Sequence, residues 1–260
     1  MLPEGTLRDQ VAVITGGATG IGLGIAQEVG RLGARVVLAS RNQERLDAAA
    51  AQLAGQGVEA IGVSTDVRDP SQVDAMVEAA LGRYGRIDLL VNNAAGNFIV
   101  DAEKLSVNGF NAVVGIVLHG TFHCSRAVGL EMIRSRRGGK ILNLVAAYAW
   151  TGGPKTLHSA VAKAGVVAMT RTLAVEWAEY GIRVNALSPG PVDTEQSHSQ
   201  LWAVPQIQER LLRSVPTGRF GTVEEVAQAA SYLLSPYADF INGEVLVMDG
   251  GQWLGKGIAE

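Results

Sequence analysis

The residues best suited by type and spacing to do chemistry come early in the chain: Thr15-Gly16-Gly17-Ala18-Thr19-Gly20-Ile21-Gly22. An apolar run, Val11–Thr15, leads into them, and a segment of helical period, 20–32, follows at once. Glycines at such a strand-to-helix turn let the backbone bend sharply and approach a ligand with no side chain in the way. A helix opening at Gly20 presents unpaired N–H groups and the positive end of its dipole, a natural seat for phosphate. Gly16, Thr19, Gly20 and Ile21 are therefore candidates to hold the pyrophosphate of a dinucleotide. A second apolar run, 35–39, ends at Ser40-Arg41. A site selective for an unphosphorylated ribose places an acid near this point. Ser40 and Arg41 offer instead a hydroxyl and a planar cation that can pair with a 2′-phosphate. The expected cofactor is NADP(H).

A loop of this kind works only if a sheet and a helix hold it. Short β-branched runs at 11–15, 35–39, 59–64, 89–92, 140–145, 183–187 and 245–248 read as strands. Between them lie amphipathic stretches at 20–32, 43–53, 70–83, 109–134, 157–180 and 223–234. Strand–helix alternation of this length predicts a parallel sheet with helices on both faces. The nearly continuous apolar strands agree, since both sheet faces are then covered. The expected fold is α/β: one Rossmann-type, doubly wound domain spanning residues 1–260. Only 193–214 breaks the rhythm; it is polar, carries Trp202 and Pro205, and is expected to form a lid over a substrate.

Composition narrows the function class. With 260 residues, 47% hydrophobic and 18% charged, the chain is long enough to bury a core without metal or disulfide staples. A net charge of −3 gives no reason to expect a nucleic-acid or anionic-membrane partner. Cys124 is the single cysteine, which fits a reducing compartment; in its helical, apolar context it reads as a small buried hydrophobe. No signal-like start is seen, and no apolar run approaches the ~18 residues needed to span a bilayer, so a cytoplasmic protein is expected. His119 and His123 are one helical turn apart, a spacing that can hold a metal, but no third ligand accompanies them and no metal is expected.

Several further segments, in order, resemble the short-chain dehydrogenase/reductases over nearly the whole chain. They are Thr15–Gly22, Asp66-Val67, Asn92-Asn93-Ala94-Ala95-Gly96, Ala162-Lys163-Ala164-Gly165, Ile182–Asn185, Ser188-Pro189-Gly190-Pro191 and Asp249-Gly250-Gly251. The resemblance implies that Asp66 and Val67 contact the adenine and that Asn93, with Ala94, supports the sheet beside the cofactor. It implies further that Lys163 holds the nicotinamide ribose, while Pro189, Gly190, Val192 and Thr194 flank the nicotinamide. A homotetramer is common in that family and is expected here on the same ground.

The catalytic positions depart from the family's usual set. Ser159 stands where a tyrosine is usual four residues before the lysine, Ala146 where a serine is usual, and Val117 where an asparagine is often found. Alcohol–ketone chemistry needs an acid on the oxygen of the carbon that takes the hydride, so that chemistry is not expected. The altered pattern is similar to that of the 2,4-dienoyl-CoA reductases. The segments that carry this likeness are Asn92–Phe98, Tyr148-Ala149 and His158–Lys163, with Ala174-Val175-Glu176-Trp177 and Pro189-Gly190-Pro191. The likeness implies that Asn97 and Tyr148 bind the substrate's thioester oxygen and that Ser159 and Lys163 act near cofactor and substrate.

The chemistry explains such a displacement. Hydride arriving at the far end of a conjugated dienoyl thioester creates no charge where it lands; the charge runs to the thioester oxygen. Hydrogen-bond donors are then needed several bonds from the attacked carbon, and a phenol and an amide are suitable neutral donors. The expected substrate is an acyl-CoA and the expected product a 3-enoyl-CoA, with water protonating the α-carbon. Other readings remain open: reduction of a 2-enoyl-CoA, a carbonyl reductase using Tyr148 or His158, and a non-catalytic NADP(H) sensor. Residue by residue, the plainer alternatives are that Tyr148 is a semi-buried aromatic beside Trp150, Asn97 a turn residue and His158 a local packing residue.

Overall fold

The computed structural model describes residues 2–194 and 205–255. Seven strands form one all-parallel sheet: β1 Val11–Thr15, β2 Arg35–Ser40, β3 Ala60–Ser64, β4 Leu89–Asn92, β5 Gly139–Leu144, β6 Ile182–Pro189 and β7 Val245–Met248. Their spatial order is β3-β2-β1-β4-β5-β6-β7. The chain thus builds outward from β1 in one direction and then crosses to build in the other. That reversal opens a crevice above the carboxyl ends of β1 and β4, where doubly wound sheets bind ligands.

Helices α1 Gly20–Arg31, α2 Gln43–Gly55 and α3 Pro70–Tyr84 precede β4. Their starts follow from local chemistry. The Asn42 side chain accepts from Arg45 N–H, and Asp69 accepts from Ser71 N–H ahead of Pro70; each such cap is worth about 1 kcal/mol. Sheet alternation then sorts the core. Ala12 and Ile14 face one layer with Ile25, Val29, Leu46 and Leu53, whereas Val11 and Val13 face the other with Val73, Met76 and Val128. Cys124 is fully buried in the second layer, where burial pushes its thiol up to about 12; it behaves as a hydrophobe.

After β4 the helical run differs from the sequence expectation. It starts earlier, as α4 Val107–Val114, widens into a π-helical stretch at Gly115–His119, and continues as α5 Gly120–Ser135. Val117 lies in the wide turn, buried, and its carbonyl accepts from Thr121 Oγ1 at 2.7 Å. Gly120 lets the run pass close to the loop between β3 and α3: a Cβ there would meet Val67 Cγ2 at 2.5 Å. The whole run, Val107–Ser135, is long and apolar enough by length and composition to cross a membrane, which corrects the expectation that no such segment exists. Val113, Val117, Val128 and Met132 of this run are packed in the interior, whereas Val107, Phe122 and Leu130 are exposed.

The remaining helices are α6 Tyr148–Thr151, α7 Leu157–Glu176, α8 Pro205–Arg213 and α9 Val223–Leu234. A capping box starts α9, with Thr222 and Glu225 exchanging hydrogen bonds. The one-turn α6 was not expected, nor was α8 inside the expected lid; the rest of that lid, 195–204 with Trp202, falls outside the described residues.

Candidate active site

The glycine-rich turn between β1 and α1 is shaped by close approaches. Gly16 has φ +63°, and a Cβ on it would lie 2.8 Å from Asn93 Nδ2. At Gly22 a Cβ would sit 2.3 Å from the Gly16 carbonyl oxygen. Gly20, by contrast, has φ +53° and no neighbour nearer than 4.0 Å, so its glycine clears open space in front of the helix. Thr19 precedes α1 without a side-chain cap, leaving the first-turn N–H groups of the helix available. An anion such as a pyrophosphate fits this arrangement. Asn93 locks the turn from the side: its amide donates to the Thr15 and Gly16 carbonyls, both at 3.1 Å. It is a strut rather than a ligand.

Gly16, Thr19, Gly20, Ile21, Ser40 and Arg41 line one cavity of about 650 Å³ with Asp66, Val67, Asn93 and Ala94. Pro189, Gly190, Val192 and Thr194 form a further wall, and Asn97, Tyr148, Ser159 and Lys163 complete it. The structure therefore brings every expected site residue to one place. Arg41 is exposed and makes no hydrogen bond or ion pair through its guanidinium among the described residues. The Asp66 carboxylate is gripped by Arg68, with Nε at 2.9 and 3.0 Å. Those hydrogen bonds outweigh its desolvation and hold Asp66 below the usual carboxylate range.

Lys163 is buried on α7, and its Nζ donates to the Leu144 carbonyl at 2.5 Å. Desolvation lowers its pKa to about 8. The unfolded chain keeps that proton up to the ordinary value of 10.5, so from about pH 8 to 10 the unfolded state binds more protons and stability climbs with pH. The cofactor-free protein is thus expected to melt at increasing temperature across that window relative to Lys163→Met. Parallel melting curves for the two proteins would refute the assignment.

Tyr148 on α6 reaches α7, where its hydroxyl lies 3.0 Å from Ser159 Oγ. Burial raises the phenol's pKa, an effect that the Ser159 hydrogen bond partly offsets. The group therefore stays a neutral donor at neutral pH. Asn97 follows β4, and its Oδ1 accepts from the Phe98 N–H at 2.9 Å. With the carbonyl side so engaged, the Nδ2 hydrogens are left for a ligand. Two neutral donors from different segments thus share the cavity with a buried cation.

Some contributors were not visible in the sequence. Asn92 Nδ2 donates to Ser125 Oγ and to Asn143 Oδ1, and Asn143 Nδ2 to Thr170 Oγ1. This buried network clamps β4, β5, α5 and α7 beneath the site. Leu211 on α8 and Gln252 line the cavity, and Gln252 Nε2 donates to Ser214 Oγ at 2.9 Å. Asp249 holds that last segment by accepting from the Gly251 and Trp253 N–H groups. Trp150 packs edge-on against Trp253. His158 is fully buried and packs on the Phe98 ring at 4.3 Å; burial lowers its pKa, an effect that the Phe98 backbone partly offsets. His123 Nδ1 lies 2.9 Å from the Val67 carbonyl, which accounts for that side chain.

The matched positions decide the family. A family profile described as "Enoyl-(Acyl carrier protein) reductase" covers residues 16–252. A crystal structure of a short chain dehydrogenase from Bacillus anthracis is 47% identical and superposes with a TM-score of 0.88, over 96% of this chain and 99% of that one. The chain belongs to the short-chain dehydrogenase/reductase family. Among curated short-chain dehydrogenase/reductase relatives, a Bacillus subtilis protein named "Probable 2,4-dienoyl-CoA reductase [(2E)-enoyl-CoA-producing]" is 45% identical over 95% of this chain and 98% of its own. A Pongo abelii protein named "Peroxisomal 2,4-dienoyl-CoA reductase [(3E)-enoyl-CoA-producing]" is 43% identical over 95% of this chain and 85% of its own. As a short-chain dehydrogenase/reductase the chain is an oxidoreductase with a nicotinamide cofactor.

Proposed function

We propose that the protein reduces 2,4-dienoyl-CoA thioesters to 3-enoyl-CoA with NADPH, as a step in degrading unsaturated fatty acyl chains. The observation that carries this reading is the joint placement of Asn97 and Tyr148 in the cavity, with Ser159 and Ala146 where acidic or hydroxyl-bearing residues of ordinary carbonyl reduction are usual. A nicotinamide held in this cavity would supply a hydride to the conjugated carbon. Tyr148 Oη–H and Asn97 Nδ2–H then stabilise negative charge gathering on the thioester oxygen. Ser159 orients the phenol by its 3.0 Å hydrogen bond. Lys163 holds the ribose side of the cavity.

NADP(H) rather than NAD(H) is supported by Arg41, exposed at the end of β2, beside Ser40. Apart from Asp66, which Arg68 grips, no carboxylate lines the cavity among the described residues. Protonation of the dienolate therefore falls to water, and at the α-carbon it yields the 3-enoyl product. Relatives named as dienoyl-CoA reductases carry both product designations, so the product is the discriminating readout. NADPH oxidation is expected with a dienoyl thioester and not with enoyl or ketoacyl thioesters. Reduction run in D₂O should place deuterium at C2. Deuterium at C4 with a 2-enoyl product would overturn the protonation site, and ketoacyl turnover alone would overturn the reaction.

A further inference from the structure

The amino-terminal ends of β4, β5 and β6 open on a second cavity, of about 330 Å³, at the end of the sheet opposite the candidate active site. Four cations line it, Arg86, Arg137, Lys140 and Arg183, against two carboxylates, Asp88 and Asp239. Two of the cations are balanced. Asp88, buried, accepts from Arg86 Nε at 2.8 Å and from the Val11 N–H at 2.9 Å, and Lys140 Nζ lies 2.5 Å from Asp239 Oδ1. The other two are not. Among the described residues Arg183 donates only to carbonyl oxygens, from Nε to that of Asp239 at 3.0 Å and from Nη1 to that of Ile182 at 3.3 Å. Arg137 is exposed and makes no hydrogen bond or ion pair through its guanidinium among the described residues. Asp9, whose charge reaches Arg86, is accompanied by Arg35, which donates to the Asp9 carbonyl at 3.1 Å, so the positive excess stands. Glycines bring the two uncompensated arginines together. Gly138 and Gly181 hold φ +68° and +73°, and a Cβ on Gly138 would lie 2.5 Å from the Gly181 carbonyl oxygen.

We propose that this cavity binds a phosphate dianion, free or as the phosphomonoester of a small molecule, with Arg137 and Arg183 as its partners. A guanidinium fork matches two phosphate oxygens. A phosphomonoester carries about −1.5 to −2 charges at neutral pH, which is the charge that the two unbalanced arginines leave unmatched. The paired residues form the walls: Asp88 is tied to β1 through the Val11 N–H, and Lys140 to the Ser235 carbonyl. The site is separate from that of the cofactor. β4 runs from Leu89, which lines this cavity, to Asn92 beneath the other, roughly 10 Å of strand at about 3.3 Å per residue.

The test measures binding of inorganic phosphate and of ribose 5-phosphate by calorimetry for wild type, Arg137→Gln and Arg183→Lys. The protein is saturated with NADPH, so that the phosphate seats of the cofactor site are filled. Wild type is expected to show one saturable site per chain, with affinity that falls as salt is raised. Arg137→Gln removes an exposed, unpaired cation, so its melting temperature in phosphate-free buffer should not change. It should weaken both ligands by about tenfold, the scale of a hydrogen bond to a charged group. Arg183→Lys keeps the charge and loses the fork, and should weaken them by less. Tighter binding of inorganic phosphate supports the free ion as ligand, and tighter binding of ribose 5-phosphate supports an organic phosphomonoester. Three results would each reject the site: no saturable binding to wild type, affinity unchanged in Arg137→Gln, or binding that NADPH abolishes, which would assign the phosphate to the cofactor cavity.

Discussion

Tyr148→Phe is expected to lower kcat on a dienoyl thioester by about 100- to 1,000-fold, the usual loss for one oxyanion donor, with KM changed far less. The substitution keeps the ring and removes only the hydroxyl, so packing on α7 survives. Its effect concentrates in kcat because negative charge reaches the thioester oxygen only as the hydride arrives, and a hydrogen bond to charge is stronger than one to a neutral carbonyl. Asn97→Ala should fall in the same range. Ser159→Ala should cost less, since Ser159 acts through the phenol at 3.0 Å rather than on substrate. Burial lifts the Tyr148 pKa above the ordinary value of 10.0. The protonated donor therefore persists through neutral pH, and its contribution to kcat should be lost only above pH 10. Normal turnover by Tyr148→Phe, with Ser159→Ala or His158→Ala inactive, would move the acid elsewhere.

Arg41→Asp is expected to invert the choice of cofactor. The guanidinium at the end of β2 has no acidic partner within hydrogen-bond reach among the described residues, so a 2′-phosphate there finds an unoccupied planar cation. Hydrogen bonds to charged groups contribute ~1.5–3 kcal/mol. Their loss should reduce kcat/KM with NADPH by about 10- to 100-fold. The new carboxylate repels phosphate and can accept from ribose hydroxyls, so kcat/KM with NADH should rise. Steady-state assays with both cofactors check this, and an unchanged preference would refute the role of Arg41. The fold should be unaffected, because Arg41 is exposed and its carbonyl, not its side chain, accepts from Ser64 Oγ.

The sequence on its own determined the scaffold and one half of the site. Apolar runs at 11–15, 89–92 and 245–248 match β1, β4 and β7 residue for residue, because a strand covered on both faces can be built only from such runs. The glycine turn was legible too, since its requirements are local: a left-handed φ at Gly16 and Gly20 and close backbone approach at Gly22. The wide turn at Gly115–His119 was not, for it depends on how closely the helical run approaches the Val67 loop. Nor was the one-turn helix that presents Tyr148, which is too short to leave a periodic signal.

Only the tertiary structure decided what the remaining polar residues do. Asn92 and Asn143 lie 51 positions apart yet share a buried hydrogen bond, and nothing in either neighbourhood announces the other. Resemblance suggested Tyr148 and Asn97, but a phenol on Ser159 and an amide whose oxygen is already engaged are facts of packing. Periodicity records which face a residue turns to the core. The direction of a hydroxyl or an amide within a cavity is set by atoms that arrive from elsewhere in the chain.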